Sequence, residues 1–161
     1  KSRHPHIFLK DESIKSIDDV NEYWEYKKKL ERKKKGANSI LDGVSLSLPA
    51  VTRSLKLQKR AAKEGFDWNN VLDTMKKVNE EVKELSKEIK LENKKRIKDE
   101  LGDLFFSCIN LSRKLGLDTE TIIRESNRKF EKRFKKMEKQ MNRKKLEWNL
   151  KNLEKQWQNS K

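Results

Sequence analysis

The chain has 161 residues, of which 42% are charged and only 33% hydrophobic, with 5 Gly, 2 Pro, 1 Cys and a formal net charge of +15. A chain this size, rich in Lys, Glu and Leu and almost free of breakers, predicts helices whose apolar faces are completed by one another or by a second subunit, and it excludes an all-β or Rossmann-type fold. Lys outnumbers Arg 31 to 10 among the 41 cations and 12 Asn accompany them, a bias that argues against dedicated nucleic-acid binding, which draws on the planar Arg fork.

Residues 1–15 read as a linker or the end of an upstream unit, and the start at Lys1 rather than Met points to a fragment or processed product. His4 and His6 flank Pro5 at a metal-compatible spacing but read as structural. The domain proper is expected over 16–161. Ser16 with Asp19 makes an acidic version of the capping box and opens a helix to about Lys35, with Val20, Tyr23, Trp24, Tyr26 and Leu30 as its apolar members and Gly36 as its stop. Ala37 to Leu48 reads as a loop, after which Pro49 starts a helix through Val51, Leu55 and Leu57 to Gly65. Val71, Met75, Val78, Val82, Leu85 and Ile89 predict a helix over about 70–90 that Asn93 breaks. The next covers about 95–115 and ends at Gly116. Asp118 caps a long helix to about Met141, whose face Phe130, Phe134, Met137 and Met141 reads as core. An amphipathic segment, Leu146 to Trp157, follows. Cys108 lies in an apolar run and is expected to be buried; one cysteine forms no internal disulfide, so a reducing, cytoplasmic setting is expected. No stretch approaches the ~18 apolar residues of a membrane span. This succession predicts an all-α, antiparallel helical bundle with an acidic core over 70–141.

On the helix over 70–90, Glu80, Glu81 and Glu84 project from one side within a single turn, beside the apolar stripe Val78, Val82 and Leu85. The following helix lines up Glu100, Asp103, Ser107, Asn110 and Lys114 as a polar stripe on an otherwise apolar helix. Half-buried carboxylates are expensive unless paired or coordinated, and a short turn would bring the two acidic sets face to face. Up to five converging carboxylates would attract a hard divalent cation, and oxygen-only ligation selects Mg²⁺ or Mn²⁺ over Zn²⁺. The competing reading is solvent-facing ion pairing with Lys76, Lys77, Lys83 and Lys87, which leaves the second stripe unexplained.

Glu80-Glu81-x-x-Glu84, then 15 residues, then Glu100-x-x-Asp103 resembles the two-part acidic signature of the MazG-type all-α nucleoside triphosphate pyrophosphohydrolases. Leu41-Asp42-Gly43-Val44, Leu48-Pro49-Ala50, Leu57-Gln58-Lys59-Arg60-Ala61-Ala62, Gly65-Phe66-Asp67-Trp68, Glu100-Leu101-Gly102-Asp103-Leu104-Phe105-Phe106 and Asn127-Arg128-Lys129-Phe130-Glu131-Lys132-Arg133-Phe134 extend the similarity over nearly the whole chain. It is similar in particular to the second repeat of the two-repeat bacterial form, where a segment like Arg3-His4-Pro5-His6-Ile7-Phe8 follows the first repeat.

The resemblance implies hydrolysis of a nucleoside triphosphate to monophosphate and pyrophosphate, with Mg²⁺ held by Glu81, Glu84, Glu100 and Asp103. It leaves Glu80 either as a further ligand or as the group that orients the water. Lys129 and Arg133, four apart, become triphosphate contacts, with Arg96 a weaker phosphate candidate. Trp157 is a candidate to stack on the base, with packing of the last helix as its alternative; Trp24, Trp68 and Trp148 are expected to pack. A homodimer is expected because the apolar faces exceed what one small bundle covers. Two other classes stand beside this reading: a basic helical nucleic-acid-binding module, and a helical interaction domain that does not catalyse.

Overall fold

The computed structural model describes Lys27 and residues 38–160. The helix expected from Ser16 to about Lys35 therefore lies outside the described residues except at Lys27, which is helical, and so do His4, His6 and Trp24. Five helices follow: α1 Ala50–Lys63, α2 Val71–Lys90, α3 Lys94–Lys114, α4 Thr119–Arg143 and α5 Leu150–Gln158, with no strand among the described residues. The all-α expectation holds.

The Asn-rich composition has a local use. Asn70, Asn93, Asp118 and Asn149 cap α2 to α5, each side chain accepting a backbone N–H three residues on, from Asp73, Arg96, Thr121 and Asn152. Helix ends are equally regular. At Gly65, Glu92, Gly116 and Lys145 the chain turns left-handed, with φ of 89°, 54°, 69° and 50°. At the α2 end the Glu92 N–H donates to the Ile89 carbonyl and the Asn93 N–H to the Glu88 carbonyl, the paired bonds of a Schellman turn. Only two of the four positions are glycine, so Glu92 and Lys145 carry strain that a Cβ creates there.

The chain divides into two compact units. The first comprises, among the described residues, Lys27, 38–48 and 56–67. In it the Asp42 carboxylate accepts the backbone N–H groups of Asn38 and Ser39, while Arg60 donates to the Asp42 carbonyl at 2.6 Å. The second comprises Pro49–Leu55 and Trp68 onward. There α2 and α3 form an antiparallel hairpin across the turn at 91–93, and α5 packs on α4. A hydrogen bond of 2.6 Å between the Ser112 and Thr119 hydroxyls closes the α3–α4 corner.

Several expected core positions are not buried. Met137 and Met141 are, at 2% and 0% exposure, but Phe130 is 57% exposed. Cys108 is exposed as well, a correction to its expected burial. On α2 the residues turned inward are Thr74, Val78, Glu81 and Glu88, while Met75, Val82 and Ile89 stay open to solvent. These two sets are offset by one residue, about 100° around the helix. The hairpin thus seats its polar stripe inside and leaves Met75, Val82 and Ile89 on an exposed apolar stripe.

Candidate functional site

The α2–α3 hairpin delivers the two acidic sets to one place. Glu81, Glu84 and Glu100 each offer a carboxylate oxygen such that all three lie within 4.8 Å of one another. Glu81 and Glu100 are 4% and 6% exposed, whereas Glu84 is open to solvent. Asp103, one turn beyond Glu100, is exposed, and Glu80 retains 55% exposure of its side chain. Antiparallel packing explains the meeting: Glu84 and Glu100 stand on facing turns on either side of the loop, and the Glu92 turn sets that register.

Glu81 and Glu100 each have a cation four residues earlier on the same helix. Lys77 lies 2.8 Å from Glu81 and 2.7 Å from Glu80, and Arg96 lies 3.0 Å from Glu100. The hydrogen bond to Glu80, then that to Glu81, holds the Lys77 ammonium well above the ordinary lysine range. Burial is the largest influence on Glu100 and pushes its carboxyl above the usual carboxylate range; Arg96 pulls it down, and the charges of Glu84, Glu81 and Asp103 push it up. Lys77 is the residue that sequence reasoning undervalued, since spacing alone made it surface decoration. Its i+3 and i+4 relation to Glu80 and Glu81 was the available signal.

The rest of the α3 polar stripe has structural employment. Ser107 is buried, Asn110 accepts from Arg113 at 2.9 Å, and Lys114 donates to the Trp68 carbonyl at 2.6 Å.

A second group gathers where α5 lies on α4. The Arg133 guanidinium donates to the Trp157 carbonyl at 3.0 and 3.3 Å, and its central carbon sits 4.0 Å from the centre of the Trp157 ring. Phe130 leans on Trp157 at 5.5 Å and stacks with Phe134 at 5.8 Å. These rings, with Met137, Trp148 and Leu153, line an apolar groove of about 250 Å³. Arg133 and Trp157 are therefore joined directly, while Lys129, one turn earlier on α4, stands exposed. Trp68 and Trp148, expected to pack, remain 43% and 53% exposed.

Residues 69–138 match the model of the MazG nucleotide pyrophosphohydrolase domain, a span that contains both halves of the acidic set together with Lys129 and Arg133. The chain is 38% identical over 164 residues to the nucleoside triphosphate pyrophosphohydrolase of Escherichia coli strain K12, covering 99% of this chain and 62% of that protein. It is 38% identical over 138 residues to the nucleoside triphosphate pyrophosphohydrolase/pyrophosphatase MazG of Thermotoga maritima, covering 84% of this chain and 50% of that one. The uncharacterized protein YabN of Bacillus subtilis is also 38% identical, over 163 residues, 99% of this chain and 33% of its own length.

Proposed function

We propose, from the premise that residues 69–138 belong to the MazG nucleotide pyrophosphohydrolase domain family, that this chain hydrolyses nucleoside triphosphates to the monophosphate and pyrophosphate in a divalent-metal-dependent reaction. The observation that carries the reading is the trio Glu81, Glu84 and Glu100, brought within 4.8 Å from two helices although two of the three are buried. Such a set is badly neutralised by Lys77 and Arg96 alone, and its all-oxygen chemistry fits Mg²⁺ or Mn²⁺, with Asp103 completing the ligands. When bound, the cation supplies charge for the phosphoryl oxygens and acidifies water.

The chain's own residues do the remaining work. Water adds at the α-phosphorus and the bond from that phosphorus to the bridging oxygen of the β-phosphate breaks, releasing pyrophosphate. Lys129 and Arg96 are cations exposed enough to meet the triphosphate, and Arg133 can join them with the N–H donors that it does not spend on the Trp157 carbonyl. Trp157 and Phe130, which line the apolar groove, offer a stacking surface for a base.

A second copy of this chain is the proposed partner. On α3, Leu101, Phe105 and Phe106 are 39%, 61% and 42% exposed, an apolar patch that a single hairpin leaves uncovered. The exposed free thiol of Cys108 fits a reducing compartment, and we assign the reaction to the cytoplasm. Among the described residues no helix is long and apolar enough to cross a membrane.

The deciding experiment incubates the protein with each common nucleoside triphosphate, with Mg²⁺ and with EDTA, and identifies the products. Monophosphate plus pyrophosphate, only with metal, is expected. Diphosphate plus phosphate would move the chain to another class of phosphohydrolase, and hydrolysis undiminished by EDTA would remove the metal.

A further inference from the structure

Lys77 stands between two carboxylates that are not equivalent. Its ammonium is 2.7 Å from Glu80 and 2.8 Å from Glu81, yet the Glu80 side chain is 55% exposed and that of Glu81 only 5%. Glu81 belongs to the trio of converging oxygens and Glu80 does not. A carboxylate as buried as Glu81, with Glu84 and Glu100 beside it, needs a positive neighbour. Lys77 is that neighbour, 2.8 Å away.

We propose that Lys77 is an internal counter-ion that competes with divalent metal for Glu81, and that Glu80 is the alternative partner that keeps the ammonium once the metal has taken Glu81. The inference rests on the metal-site reading above. An ammonium carries three donors on a flexible four-carbon stem, so it can release Glu81 and keep Glu80 through small side-chain rotations. Metal entry then breaks one ion pair and leaves the other, and the charge of Lys77 never stands unpaired. Lys77 thereby sets how tightly the site takes metal without ligating it. Glu80 sets how readily Lys77 lets go.

Neighbouring residues thus acquire opposite signs. Removing the Lys77 charge should tighten metal binding. Removing the Glu80 charge should weaken it, because Lys77 is then left with Glu81 alone. That weakening should vanish when Lys77 is absent, whereas a Glu80 that ligated the metal itself would matter in either background.

The test is a titration of the 161-residue chain with Mn²⁺, read from the loss of the free-ion electron paramagnetic resonance signal, for the wild type, Lys77→Gln, Lys77→Arg, Glu80→Gln and the double variant. Lys76→Gln serves as a control, since Lys76 is paired with Asp73 at 2.9 Å and its removal changes net charge equally. Lys77→Gln should bind about tenfold more tightly, ~1.4 kcal/mol, and Lys77→Arg and Lys76→Gln should stay within about twofold of wild type. Glu80→Gln should weaken binding several-fold in the wild type and by less than about twofold in Lys77→Gln. Unchanged affinity in Lys77→Gln, or equal weakening by Glu80→Gln in both backgrounds, overturns the proposal while leaving the metal site standing. Absence of Mn²⁺ binding by the folded wild type removes the metal site and this inference together.

Discussion

Glu100 is the residue at which structural and functional demands conflict most sharply. It is buried among like charges, with Arg96 as its one ion-pair partner among the described residues, and its carboxyl is held above the usual range. The folded metal-free protein therefore keeps this proton to higher pH than the unfolded chain does. The contribution of Glu100 to stability accordingly falls as pH rises from the ordinary carboxylate value through the raised one. Glu100→Gln should flatten that dependence in EDTA, leave the metal-free protein at least as stable as the wild type above that window, and abolish hydrolysis; thermal melts across pH beside a pyrophosphate-release assay measure both. A destabilised but active variant would make Glu100 a partner of Arg96 and nothing more. Arg133 presents a different case, because its fork already holds the Trp157 carbonyl and indole. Arg133→Ala should loosen α5 by about 1–2 kcal/mol, seen as faster amide exchange over 150–160. Lys129→Ala, at an exposed position, should leave that exchange unchanged while raising KM.

At the level of elements, the α2–α3 turn decides whether the acidic sets meet. Its left-handed residue is Glu92, φ 54°, where two of the three comparable turns use glycine. Glu92→Gly should relieve that conformation and raise stability by roughly 1 kcal/mol, provided the hairpin register is kept. A thermal melt gives the sign, and an unchanged Mn²⁺ affinity shows that the register was preserved. A lower melting temperature would mean that the Glu92 side chain contributes more than its strained backbone costs.

For the whole molecule, the exposed apolar residues weigh more than the net charge of +15. Few large apolar side chains in the described residues are fully buried, while Phe105 and its neighbours on α3 lie open. If a second copy covers them, Phe105→Glu should halve the mass measured by light scattering without loss of helicity, since the substitution introduces a buried charge only in the dimer. A wild type that is already monomeric, or a variant that stays dimeric, would place the interface elsewhere.

Helix positions were legible in the chain because capping and apolar periodicity act within a few residues: Asn70, Asn93 and Asp118 start helices where their side chains reach the next N–H groups. The approach of the two acidic stretches was legible too, from spacing and from the resemblance of the linked motifs, although only Glu81, Glu84 and Glu100 of the five expected carboxylates converge. What the residues alone left open was which side of each helix would face inward. That rotation depends on the partner helix, and α2 settles against α3 with Glu81 and Val78 inside and Val82 outside, although Val78 and Val82 belong to one periodic pattern. The same rotation buries Glu81 while exposing Glu80, so two adjacent glutamates receive different environments. It also turns Lys77 from a surface cation into the counter-ion of a buried carboxylate. Local spacing fixes distances along a helix, but burial, and with it the electrostatics of the site, arises only when two helices pack.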